Sequence, residues 1–178
     1  MPRLFTALLI PDDVADRLVW LAGGLRGARW IERGDLHLTL RFIGDIDGSM
    51  ADDVARTLDD IRAGPLTIAL DGLDAFGGDR PKSVHASVRP SPALLALQAA
   101  QERRLQQVGL KPERRKFTPH ITLARLKGGD PVEVAAWLAA AGSLAGAVFE
   151  APAFHLMSAR ESTGGGPYVP VIDYPLDG

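Results

Sequence analysis

His37-Leu38-Thr39-Leu40 and His120-Ile121-Thr122-Leu123 are the two stretches on which the reading of this chain turns. In a strand, successive side chains point to opposite faces. His37 and Thr39 therefore share one face while Leu38 and Leu40 share the other, and the second stretch repeats the pattern. Each strand can anchor its apolar face in a core and hold a polar pair toward a cleft. The chain has four histidines, and two of them sit in these matching patterns. Two chance copies would be expected in far fewer than about one chain of this length in a hundred, given average composition. A helical pattern lies near each copy. Two copies imply a pseudo-symmetric, two-lobed protein and not a solenoid.

Working outward, Leu4 to Ile10 is strand-like. Pro11-Asp12-Asp13 starts a helix with an acidic first turn, and Val14, Leu18, Leu21 and Leu25 keep helical spacing. Gly23-Gly24 ends its regular part. Leu36 to Ile43 alternates as a strand, and Ser49 to Ile61 reads as a helix with Ser49 as N-cap. Leu66 to Leu73 and Ser83 to Val88 are strands joined by the loop Gly77-Gly78-Asp79-Arg80-Pro81. Pro92 opens a third helix that buries Leu94, Leu95, Leu97, Leu105 and Val108 and stops at Gly109. Phe117 to Leu126 is a strand, and Asp130-Pro131 starts a fourth helix running to about Ala140. Ala147 to Ala159 and Tyr168 to Tyr174 are the last strands, separated by Gly164-Gly165-Gly166-Pro167. Strands often follow strands, which predicts an α+β protein with mainly antiparallel sheets.

The 178 residues are 46% hydrophobic and 24% charged, as in a globular protein, and the net charge is −2. A polyanion site must then come from local clustering of Arg and Lys. The absence of cysteine excludes disulfides, thiolate metal sites and Cys nucleophiles, and fits a reducing cytoplasm. The N-terminal apolar run is short and meets Pro11 at once, so it reads as a strand and not a signal peptide. No apolar stretch approaches the ~20 residues of a membrane span.

In-line attack on a phosphodiester needs a base at the attacking oxygen and an acid at the leaving oxygen. Histidine suits both roles because its ordinary pKa lies near neutrality. The threonine two residues later can donate to a non-bridging phosphate oxygen. A lone strand histidine is most often an ordinary partly buried side chain. Zinc fits poorly, because no Asp or Glu stands nearby at ligand spacing. Arg125 and Phe42 each lie five residues after a motif histidine. Strict alternation turns both away from the cleft, so either reaches it only where its strand twists or bulges. Arg125 would suit a phosphate. Phe42 has two readings, a base-stacking side chain or, more commonly for Phe, part of the core. Arg114-Arg115-Lys116 is either part of a phosphate site or a solvated rim.

These residues resemble the two-histidine phosphoesterase superfamily, and the whole chain looks like the bacterial RNA 2′,3′-cyclic phosphodiesterases, also called 2′-5′ RNA ligases. The likeness includes Arg3-Leu4-Phe5 with Pro11, the stretch Leu36 to Gly44, Ala75-Phe76-Gly77, the stretch Phe117 to Arg125, Ser158, the glycine-rich loop, Tyr168 and Tyr174-Pro175-Leu176. It implies a single two-lobed domain over residues 1–178 with outer helices and a central cleft. It also implies metal-free, cofactor-free hydrolysis of RNA 2′,3′-cyclic phosphate ends to 2′-phosphates, with reversible 2′-5′ RNA ligation beside it. In that likeness His37 is the general acid and His120 the general base. Thr39, Thr122 and Arg125 bind phosphate, and Phe42 contacts the terminal base. The expected partner is RNA ending in a cyclic phosphate, tRNA fragments included, and the expected state is a cytoplasmic monomer. A non-catalytic RNA- or nucleotide-binding module using the same cleft is the alternative; it would be favoured by loss of a motif His or Thr, and all four are present. Family members often carry Trp where this chain has His85, which either lines the cleft or is an exposed strand residue. His155 has no matching motif and reads as structural or surface.

Overall fold

The computed structural model describes residues 3–159 and 167–178. In chain order it forms β1 (Arg3–Leu9), α1 (Asp12–Val19), β2 (Ala28–Trp30), a 3-10 turn (Arg33–Asp35), β3 (His37–Asp45), α2 (Gly48–Asp59), β4 (Leu66–Phe76), β5 (Ser83–Val88), α3 (Pro92–Gln107), β6 (His120–Leu126), α4 (Pro131–Ala140), β7 (Val148–Ala151), β8 (Ala153–Ala159) and β9 (Tyr168–Pro175). The strands run β7-β4-β5-β6-β3-β1-β8-β9, with β2 beside β6. Their pairings are antiparallel. This is the α+β architecture expected from the sequence.

The two motif strands meet in the middle of this order, where Leu38 of β3 faces Ile121 of β6. Three further strands lie outward on each side, so the halves mirror one another about that pair. Leu38 and Ile121 are fully buried, and Leu40 and Leu123 are nearly so. Their face packs on Val14 and Leu18 of α1, Val54 and Leu58 of α2, Leu94, Leu97 and Leu105 of α3, and Val134 of α4, in one hydrophobic core. On the opposite face a small buried apolar cluster of Phe5, Ala7, Met157 and Ala159, with Tyr168 against it, forms a separate group among the described residues. Burying one face on helices leaves the other available for a site.

Local chemistry sets the helix ends. Ser91 accepts a bond from Leu94 N at 3.2 Å and Asp130 one from Val132 N at 2.8 Å, each just before a Pro at the helix start. The cap of α2 is Asp47, which accepts from Met50 N at 2.8 Å, and not Ser49. A carboxylate two residues earlier takes the orphan amide, and the Ser49 hydroxyl bonds that carboxylate.

Other boundaries differ for physical reasons. Helix α1 ends at Val19, short of the Gly23-Gly24 pair read as its end: Leu21 N and Ala22 N bond the Leu18 and Val19 carbonyls in tighter turns, and Gly23 and Gly24 follow with φ of 124° and 77°. Leu95 is exposed, on the outer side of α3. Strand β6 starts at His120 and not at Phe117, directly after Pro119, whose missing N–H cannot join a ladder. The expected strand Ala147 to Ala159 is two strands broken at Pro152: β7 joins β4 in one half and β8 joins β1 in the other. The residues 164–166 of the glycine-rich loop lie outside the described residues.

Leu38→Ala should destabilise the fold by roughly 2–5 kcal/mol, the cost of truncating a fully buried leucine. Urea unfolding of the wild type and variant measures this; a loss below about 1 kcal/mol would contradict the central place of the Leu38–Ile121 pair.

Candidate active site

A cleft of about 520 Å³ opens on the free face of the sheet, and His37, Thr39, His120 and Thr122 all line it. Their convergence follows from one register. With Leu38 opposite Ile121 on the core side, the flanking histidines and threonines of both strands project together on the other side. The volume is in the range of small-ligand sites.

Each imidazole is oriented by its own backbone. His37 Nδ1 lies 2.7 Å from the Asp35 carbonyl oxygen, and His120 Nδ1 lies 2.7 Å from the Thr118 carbonyl oxygen. A carbonyl only accepts, so both Nδ1 atoms carry hydrogen and donate. Each neutral ring thereby keeps its Nε2 lone pair for other partners. Rings on either side hold the planes in place. Phe5 and Tyr168 flank His37, with centroids at 5.0 and 4.8 Å. Phe76 and His85 flank His120, at 4.8 and 5.1 Å. Asp35 also accepts the Tyr168 amide at 2.8 Å, tying the start of β9 to the turn that orients His37.

Both imidazoles are held below the ordinary histidine pKa. For His37 the largest cause is burial, opposed by the Asp35 carbonyl and the Asp35 charge and reinforced by the charges of His120 and Arg125. For His120 it is again burial, opposed by the Thr118 carbonyl and reinforced by Arg125. The resting pair is thus biased toward neutral rings, and an anionic ligand would draw a proton back onto the site.

Arg125 and Phe42 do reach the cleft. The reason is a β-bulge at the same place in both strands. In β3, Thr39 pairs with Ala7 and Arg41 with Thr6, which leaves Leu40 as an extra residue. In β6, Thr122 pairs with His85 and Ala124 with Val84, which leaves Leu123 as an extra residue. One inserted residue reverses the alternation beyond it. Positions five after each histidine therefore turn to the histidine side. Phe42 is 50% exposed, so it is not a core residue.

Residues 11–163 match the model of the 2'-5' RNA ligase superfamily. The chain belongs to that superfamily. Among curated relatives, an RNA 2',3'-cyclic phosphodiesterase of Aeropyrum pernix is 39% identical over 55% of this chain and 57% of its own length. One of Bacillus subtilis is 28% identical over 72% of this chain and 74% of its own. The aligned stretch thus spans little more than half of the first relative. Among solved structures, Escherichia coli LigT complexed with 3'-AMP superposes with a TM-score of 0.79 at 24% identity, covering 99% of each chain. A Thermus thermophilus protein reaches 0.84 at 23% identity, covering 99% of this chain and 98% of its own. At these identities the structures speak to the fold, and the fold is that of the superfamily.

Two neighbours of the superfamily motifs are not legible from the sequence. His85 is only 2% exposed and does not line the cleft, against both expectations for it. It stacks on Phe76 with centroids 4.1 Å apart and stands edge-on to His120. Burial first, and then the charge of His120, push it down to about 4, so it serves as a neutral ring. Its buried Nδ1 has no partner among the described residues. Only the cross-strand register, which brings His85 opposite Thr122, exposes this role. Phe5 enters the sequence reading only through its likeness to the family, and its contact with His37 depends on β1 lying next to β3. His155 fits its structural reading: Nδ1 pairs with Asp173 Oδ1 at 2.7 Å.

Among the described residues no group of three or more His, Cys, Asp or Glu side chains is placed to hold a metal ion. The motif donors converging on the cleft are two imidazoles and two hydroxyls. No helix among the described residues is long and apolar enough to cross a membrane.

NMR titration should find both His37 and His120 protonating below the ordinary histidine range. Arg125→Gln removes a positive charge that disfavours imidazolium, so both should move upward. If neither resonance shifts, or if either falls, Arg125 does not act on the pair.

Proposed function

We propose that this protein hydrolyses 2′,3′-cyclic phosphate ends of RNA to 2′-phosphates. The observation that carries the reading is the convergence of two equivalently held imidazoles and two threonine hydroxyls on one cleft. The superfamily match and the names of the relatives support the same chemistry.

The reaction runs as an in-line displacement. His120 Nε2 takes a proton from water as the water oxygen bonds to phosphorus. The P–O3′ bond breaks, and His37, protonated on Nε2, gives its proton to O3′. The products are a 2′-phosphate and a free 3′-hydroxyl. Thr39 and Thr122 donate to the non-bridging oxygens, and the Arg125 guanidinium adds charge stabilisation where negative charge is concentrated. Phe42, exposed at the cleft, stacks on the terminal base. The same groups can serve 2′-5′ ligation at high RNA-end concentration: the 5′-hydroxyl of a second RNA takes the place of water, loses its proton to His120 and bonds to phosphorus, while O3′ leaves with the proton of His37. The chemistry uses imidazoles for both proton transfers and calls for no metal or cofactor. We take residues 1–178 as one two-lobed domain acting as a cytoplasmic monomer, with tRNA fragments among its substrates; the lack of cysteine suits that compartment.

The test is incubation with an oligoribonucleotide ending in a 2′,3′-cyclic phosphate. A 2′-phosphate product is expected; a 3′-phosphate product would reverse which oxygen leaves, and no turnover would favour the binding-module alternative. His37→Ala and His120→Ala should each lower kcat by ~10²–10⁴-fold. Near-full activity of either would remove the two-histidine mechanism. EDTA should leave the rate unchanged, and inhibition reversed by added metal would count against it.

A further inference from the structure

The segment between α3 and β6 is the most basic stretch near the cleft. Lys111 to Lys116 carries four cations and one carboxylate, in a chain whose net charge is −2. Arg115 and Lys116 line the cleft, together with Phe117 and Phe42. The antiparallel register brings these groups to one end. With Leu38 opposite Ile121, the strand positions after Leu38 run alongside those before Ile121. Phe42 therefore lies at the same end as Lys116, Phe117 and Thr118, whereas Arg125 lies toward the other.

This segment is not a loose rim. Arg41 is almost fully buried, forms an ion pair with Glu102 of α3, and donates to the Phe42 carbonyl. It also donates to the Lys111 carbonyl at 2.6 Å. The Glu102 carboxylate accepts from Glu113 N at 2.9 Å and from Gln106 Nε2 at 2.7 Å. A buried ion pair contributes little net stability, because desolvation offsets the attraction. Here its remaining hydrogen-bonding capacity goes to the backbone of the loop, which holds the basic residues against the strand that carries Phe42. Glu113 partly offsets one cation: its carboxylate lies 3.8 Å from Arg115 Nε and accepts Arg115 N at 3.0 Å. Arg114 and Lys116 have no acidic side chain within ion-pair distance among the described residues. Cations held side by side, mostly without carboxylates and next to aromatic rings at a cleft mouth, are the pattern that follows a single-stranded nucleic acid backbone.

We infer that Arg114, Arg115 and Lys116 form a subsite for the internucleotide phosphates immediately upstream of the RNA end, so that the protein selects cyclic-phosphate oligonucleotides over cyclic mononucleotides. This inference rests on the proposed function. If the terminal phosphate lies between the imidazoles and the terminal base on Phe42, the rest of the strand leaves from the 5′ side of that nucleoside, at the end occupied by the basic loop. A mononucleotide has no phosphate to offer there.

The experiment compares kcat/KM for a short oligoribonucleotide ending in a 2′,3′-cyclic phosphate with that for a nucleoside 2′,3′-cyclic monophosphate. The wild type should prefer the oligonucleotide. Combined Arg114→Gln, Arg115→Gln and Lys116→Gln should reduce that preference by roughly tenfold, as expected for a few exposed charge contacts. The slope of log(kcat/KM) for the oligonucleotide against log salt should flatten by about 1–2, at ~0.7 for each phosphate no longer neutralised. All three side chains are exposed, so the variant should fold. A control removing Arg17, Arg56 and Arg62, on or next to the outer helices, should keep the preference. No preference in the wild type, an unchanged preference in the loop variant, or an equal fall in the control would each overturn the subsite. Wild-type turnover of the mononucleotide alongside any of these leaves the proposed function standing. Failure to turn over either substrate would remove the function, and the subsite with it.

Discussion

The whole arrangement depends on a single contact between two strands. Leu38 and Ile121 meet face to face with no accessible surface, and that is the only laddered pair between β3 and β6 among the described residues. A slip of one residue at this seam would exchange the faces of one strand, sending its histidine and threonine into the helices and its leucines into the cleft. The apolar residues between the polar ones are therefore as much a part of the site as the imidazoles. They lock the register, and the register is what brings two distant segments to one pocket.

The electrostatics of the pocket are unusual in what they omit. Neither Nδ1 bonds a carboxylate; each donates to a main-chain carbonyl two residues earlier. A carbonyl fixes the tautomer and the ring direction without itself bringing a full negative charge; the Asp35 charge favours imidazolium at His37, but burial outweighs it. Burial and the neighbouring guanidinium then disfavour imidazolium on both rings. The counter-charge is one that a phosphate can supply, so substrate and site complete each other's charge balance.

Much of this is legible in the sequence, and the reasons differ by residue. His37, Thr39, His120 and Thr122 can be found because alternation is a local rule and the pattern occurs twice. The helices are legible from spacing, with errors at their ends: a cap two residues earlier, at Asp47, starts α2, and α1 stops at Val19, short of the glycine pair read as its end. Phe42 and Arg125 cannot be placed by alternation, because a bulge is defined by the partner strand, and β1 and β5 are remote from them in the chain. The same holds for His85, whose burial comes with Phe76 and His120 packing against it. The break at Pro152 is visible as a proline, but that it sends the chain across the sheet is not.

The twin bulges make the two motif strands sensitive to length in a way that composition does not reveal. Just beyond Leu40 and Leu123, the side chains owe their direction to the count of residues and not to their own chemistry. Exchanging either leucine for another apolar residue would keep that count. Excising one would rotate the positions that follow by half a turn, driving the Arg125 guanidinium toward the hydrocarbon interior in one case and the Phe42 ring in the other. Insertions and deletions of a single codon at these two places should thus be far less tolerable than substitutions, although neither leucine brings a polar group to the pocket.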